Sequence, residues 1–347
     1  MKRILVLLAL ILTLTPSVSA MDFQAPEAPD RVTEVVEQSA DSLAGGLWNV
    51  FRWALCEADD SLGHAMACCL TAACMVMTCV LLGELSTTIS QTAIRLCAVA
   101  VVGCALLEPS QTLIGLGIQT SNELSEYGKL LLPVMTGAMA ASGGVTGSAA
   151  LYAATAGFNS ILSSFMTGLT VPILYLYLAL SIASAALEVG LLEKMKIGIH
   201  WCMSWVLKLA LYLFTGYLSL TGVITGNADA SAVRVAKMAI SGAVPVVGGI
   251  LSDASEAVMI SAGALGSAAG IYGMLTVLAL FAGPFLRIGV QYILLKATAV
   301  FCGSMEGAGA ASLISDFAAA LGILLGAVST QTVLLLISTV CFMKGVS

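Results

Sequence analysis

The chain has 347 residues, 59% hydrophobic and 10% charged, where an ordinary soluble domain carries about a quarter charged residues. Its mean hydropathy of +1.00 excludes a soluble fold, because the apolar stretches are too long and too frequent for a soluble core to absorb. The formal net charge of −6, with no basic patch or interleaved aromatic stripe, excludes nucleic-acid binding. What remains is an all-α polytopic membrane helix bundle with broken or re-entrant segments, following a cleaved signal peptide.

Residues 1–20, MKRILVLLALILTLTPSVSA, carry the three parts of a secretory signal: Lys2 and Arg3, an apolar run from Ile4 to Leu14, and Val18, Ser19 and Ala20 before a cut expected ahead of Met21. The apolar run falls short of the roughly 20 residues that span a bilayer. Residues 21–62 then read as an acidic exported arm. Asp22, Glu27, Asp30, Glu34, Glu37, Asp41, Glu57, Asp59 and Asp60 face only Arg31 and Arg52, in keeping with the rule that positive charge stays inside. A short helix is expected from Val32 to Leu43. Trp48, Phe51 and Trp53 near Arg52 suit either a helix in the headgroup region or a buried amphipathic helix of a small external domain.

Residues 63–347 form the polytopic membrane domain. Ala65 to Gly83 is the first clear span, and Ile94 to Ile118 is a second, broken at Glu108-Pro109 into either a kinked helix or a helix plus a surface segment. SNELSEYGK, residues 121–129, reads as a polar loop. The nearly charge-free run from Leu130 to Leu187 is long enough for two spans, and Lys194 and Lys196 mark a cytoplasmic loop. Trp201 to Ile224 follows, then Met259 to Phe281, Phe285 to Cys302, a Gly/Ala-rich loop with Glu306 and Asp316, and a last span from Leu321 to Phe342. Lys344 suggests a cytoplasmic C-terminus. Opposite sides for the two ends require an odd number of crossings, which favours seven, or nine if the short segments also cross. A P-V-x-x-G phrase at Pro133 and again at Pro245, each followed by a proline at Pro172 and Pro284, is a weak sign of two related halves.

The stretch AVPVVGGILSDASEAV, residues 243–258, is the chain's most unusual phrase. Pro245 removes a backbone donor and Gly248-Gly249 weakens helix continuity, so a helix is expected to break there. Asp253 and Glu256, with Ser252 beside them, have the spacing of a capping box that restarts a helix. Two readings stand: the carboxylates cap a helix at a membrane boundary, or they line a polar path, with Arg287 and Lys296 of the following apolar segments as cationic partners.

Catalysis and metal binding have little support. Ser252, Ser255, His200 and Asp253 supply triad residue types, but no G-x-S-x-G elbow holds the serines, His64 is the only other histidine, and no H-E-x-x-H or Walker A sequence is present. No cofactor is expected. The cysteines clustered in CCLTAACMVMTC follow neither C-x-x-C nor one helix face, and read as small packing residues.

The acidic arm, GGLWNVFRWALCEADDSL, the Gly-rich membrane body and above all VPVVGGILSDASEAV resemble the stage III sporulation protein AE family, over roughly residues 30–345. The resemblance implies a multi-pass protein made in the mother cell and placed in the membrane around the forespore. There it would be a permease-like or export-platform component of a secretion channel complex required for endospore formation. Implied partners, besides the lipid bilayer, are other membrane and ring-forming stage III subunits, the cytoplasmic ATPase of the complex and the forespore channel protein. The resemblance transfers no catalytic residues. An independent secondary transporter for a small solute and a non-conducting scaffold for ring subunits are the alternatives.

Overall fold

The computed structural model describes residues 26–37, 43–85, 91–141, 145–187, 189–220, 268–304 and 308–346. Residues 1–20, expected to be a leader, and the stretch 243–258 lie outside the described residues, and with the latter Pro245, Gly248, Gly249, Ser252, Asp253 and Glu256. Among the described residues all regular structure is helical: α1 (Asp30–Glu37), α2 (Leu43–Leu85), α3 (Gln91–Ala141), α4 (Val145–Phe165), a π-helical turn (Met166–Thr170), α5 (Val171–Leu187), α6 (Gly190–Leu220), α7 (Ala268–Gly303) and α8 (Ala308–Val346). Among the described residues six stretches are long and apolar enough to cross a bilayer: Ser61–Gly83, Thr92–Gly137, Leu151–Leu187, Gly190–Leu218, Gly270–Gly303 and Gly309–Met343. In such an environment helices satisfy every backbone group internally.

Several expected breaks are absent. α3 runs 51 residues through Pro109 and Pro133, so of the two readings at Glu108-Pro109 the helix continues and the separate surface segment is not found, and the polar loop expected at 121–129 is helical. Three residues beyond each proline a threonine bonds back to the carbonyl before it, Thr112 Oγ1 to Glu108 O at 3.1 Å and Thr136 Oγ1 to Leu132 O at 2.6 Å. Such back-bonding keeps polar groups served where the helix bends. α7 likewise continues through Pro284, joining two segments expected to be separate. The Gly/Ala-rich loop expected before Leu321 is the first part of α8, and Asp316 lies within that helix. Pro172 lies in the first turn of α5, just after the π-helical turn. α2 passes through residue 62 without a break.

α8 and α7 form the centre of the bundle. Buried residues make up 83% of the most apolar part of α8 and 72% of that of α7, against 17% for α6. Close approach to α8 is set by small residues: a Cβ on Gly117 would stand 2.6 Å from Leu324 Cδ1, and one on Gly128 would meet both Asn159 and Leu335 at 3.0 Å. These contacts, rising together in number, show α3 running alongside α8 in the same direction. α4 and α7 run against α8, as the pairs Thr155–Ser338, Asn159–Gln331, Tyr292–Gly322 and Met343–Gly270 show.

The arm docks at the end of the bundle where α8 terminates. Thr33 Oγ1 bonds Ala28 O at 2.7 Å, Val32 and Val36 are fully buried, and Ala28 N–H donates to Tyr272 Oη at 3.3 Å, two residues from the Gly270 that Met343 covers. α1 and the end of α8 therefore share one end of the bundle. That differs from the expectation of ends on opposite sides. That expectation rests on the leader and acidic charge at one end and on Lys344 at the other, and on no contact between the two ends.

Candidate functional site

Three polar clusters are set into the bundle. The first lies at the level of Pro284. α2 brings Glu57 against α7, where its Oε1 is 2.9 Å from Arg287 Nη2. Gly283 leaves the room: a Cβ there would stand 2.8 Å from Glu57 Oε2. Arg287, singled out from the sequence as a cation inside an apolar segment, is thus engaged by Glu57. Further along α7, the Gln291 amide faces the thiols of Cys68 and Cys69 at 3.7 and 4.0 Å.

The second cluster joins α5, α6, α7 and α8. Lys196 Nζ of α6 meets Asp316 Oδ2 of α8 at 2.5 Å, with both side chains largely out of solvent. Tyr177 of α5 donates its hydroxyl to Asp316 Oδ1 at 3.4 Å, and its ring lies 6.5 Å from that of His200. Lys296 of α7 donates to Ser315 Oγ at 3.0 Å. His200 thus lies beside Tyr177, the residue that donates to Asp316. Lys196 was expected in a loop. It lies instead within α6, and its 7% exposure makes it a buried lysine. A buried charge is tolerated when it is paired, and Asp316 is its partner.

The third cluster carries no charge. Gln331 of α8 accepts from Ser121 Oγ at 2.6 Å and donates to Ser121 O at 2.9 Å and Asn159 Oδ1 at 3.4 Å. Asn159 donates to Ser125 O at 3.4 Å, and Thr155 and Ser338 share a hydrogen bond of 2.9 Å. The ladder ties α3, α4 and α8 together in a region without water to substitute for lost partners.

Of the residues read from the sequence as a helix break and polar path, the structure describes Arg287 and Lys296, and it places them in separate clusters. Lys196, Asp316, Tyr177 and the amide ladder were missed. Ser121 and Ser125 did carry a signal, since four-residue spacing puts them on one helix face. Among the described residues no group of three or more His, Cys, Asp or Glu is placed to hold a metal ion, and the described cysteines are free thiols.

The family model described as stage III sporulation protein AE matches residues 40–345. Stage III sporulation protein AE of Bacillus subtilis (strain 168) is 22% identical over 225 residues, covering 62% of this chain and 55% of that protein. The matched part of the chain thus spans about half the length of the curated relative. No solved structure matches. With the family model covering most of the chain and six helices suited to a bilayer, the chain belongs to the stage III sporulation protein AE family and is a multi-pass sporulation membrane protein.

Proposed function

We propose that this protein is a permease-like or export-platform subunit of a secretion channel complex joining mother cell and forespore, sited in the mother-cell membrane around the forespore. The observation that supports it is the Lys196–Asp316 pair, an ionic contact held between two helices that each have the length to cross a bilayer. Ionisable groups at such positions cost at least roughly 2.5 kcal/mol each, so a purely passive anchor has little reason to carry them. Asp253 and Glu256, beyond the break expected at Pro245, Gly248 and Gly249, are proposed to line a polar path with Ser252. The partners proposed are the membrane and ring-forming stage III subunits, the ATPase of the complex and the forespore channel protein. The enzymatic step of any export belongs to another subunit in this reading.

The test is affinity capture of the full chain from sporulating cells, combined with solute flux into vesicles holding the purified chain alone. Recovery of other stage III proteins with no flux supports a subunit of a larger channel. Flux by the isolated chain would instead make it an independent transporter, and capture without any stage III partner would remove the complex from the account.

A further inference from the structure

The central helix α8 is buried except along one stripe. Ser315, Asp316, Ala319, Gly322 and Gly326 are half-buried at spacings of one, three, three and four residues, which keeps them on one face. α6 and α7 each pack along α8 while barely touching one another, so this stripe is the floor of a groove between them. Tyr292 of α7 and Leu207 of α6 form its walls, 3.2 Å and 3.7 Å from where a Cβ would stand on Gly322 and Gly326. Small residues make the lower floor apolar.

The head of the groove is charged. Lys196 and His200 enter from α6, Lys296 from α7, and Ser315 and Asp316 rise from the floor. Asp316 is committed to Lys196 and Tyr177, whereas the Lys296 ammonium has a neutral hydroxyl as its hydrogen-bond partner. Two ammonium groups, Lys196 and Lys296, against the one carboxylate of Asp316 leave one positive charge. Just beyond His200 on α6, Trp201 and Trp205 stack at 6.4 Å with 66% and 51% of their surfaces exposed. Exposed indole rings favour the depth of lipid headgroups. On the α7 side Ile293, Val300 and Phe301 are also exposed.

We propose that the groove between α6 and α7 binds one anionic phospholipid, its phosphodiester at Lys296 and His200 and an acyl chain along Ala319, Gly322 and Gly326. An anionic phospholipid such as phosphatidylglycerol carries one net negative charge, which balances the excess at the head of the groove, whereas the choline cation of phosphatidylcholine cancels its phosphodiester's charge and would stand against Lys196 and Lys296. Basic pockets between membrane helices recognise anionic headgroups in this way, and an apolar floor excludes a ligand that is only an anion. The assignment does not depend on the proposed channel role.

The test is native mass spectrometry of the full chain, ejected from detergent with added phosphatidylglycerol or phosphatidylcholine. The wild-type chain is expected to retain phosphatidylglycerol about tenfold better, the discrimination that one charge-assisted contact supplies. Lys296→Gln should bring the two lipids to parity, and Lys296→Arg should restore the preference, with melting temperature reporting that each variant is folded. Equal retention of both lipids by the wild type, which requires no variant, or an unchanged preference in Lys296→Gln would overturn the proposal. Millimolar inorganic phosphate is expected to leave the bound phosphatidylglycerol in place; its displacement by phosphate would make this a free-anion site and overturn the lipid assignment.

Discussion

Lys196 and Asp316 stand 120 positions apart in the chain, and their side chains meet between α6 and α8. Removing either partner leaves the other as an unpaired buried charge. Lys196→Met and Asp316→Leu alone are each expected to destabilise the folded protein by about 3–5 kcal/mol, while the double substitution costs much less, because no charge is then stranded. Urea unfolding of the four forms in detergent measures this, and additive losses would contradict it.

The amide ladder makes a second prediction. Gln331→Leu leaves Ser121 Oγ and the Asn159 carbonyl oxygen without this partner in a buried, water-poor region. The expected loss is about 1–3 kcal/mol, and Gln331→Glu should be worse because it adds a buried charge. Thermal unfolding followed by tryptophan fluorescence reads both, and an unchanged midpoint in Gln331→Leu would show that the ladder contributes nothing.

Close packing supplies a third. Gly273 lies under Leu131, where a Cβ would come within 2.6 Å of Cδ1, and Gly117 lies under Leu324 at the same distance. Alanine at either position forces a leucine to shift, at a cost of about 1–3 kcal/mol. Gly289, with open space around it, is the control. Gly289→Ala should be neutral or slightly stabilising, since alanine is the better helix former.

The placement of the ends is a fourth. α1 and the end of α8 share one end of the bundle, and the α5–α6 junction at Val189 lies at the other, because Ala185, near the end of α5, lies against Gly309 at the start of α8. A protease site inserted after Pro26 and one after Ser347 should therefore be cut from the same side of sealed vesicles, and one at Val189 from the opposite side. Cleavage of the first two from different sides would refute this arrangement.

Much of the class was legible in composition: long apolar runs with few charges specify membrane helices. Breaks were harder to place. Some prolines and polar clusters read as interruptions, yet Pro109 and Pro284 lie within helices, because neighbouring helices and, after Pro109, a back-bonding threonine stabilise what an isolated helix would lose. Arg287 and Lys296 stood out as charges in apolar surroundings. Their partners did not, since Glu57 belongs to a run of acids that reads as solvated surface and Ser315 to a Gly/Ala-rich stretch that reads as a loop. Lys196 was misplaced for a related reason: adjacent Lys194 and Glu193 suggest water, and only the fold reveals that one of the three turns inward. Gln331, a lone amide in an apolar run, was a signal in plain view.

The channel account is tested most directly by counting heat-resistant spores in cells whose sole copy carries Asp316→Asn, paired with Lys196→Gln to keep the buried pair neutral. The account predicts that spore yield falls at least about tenfold, while the protein accumulates and surrounds the forespore as the wild type does. A normal spore count from the neutral pair, at normal protein level and location, would contradict the claim that these buried charges serve export.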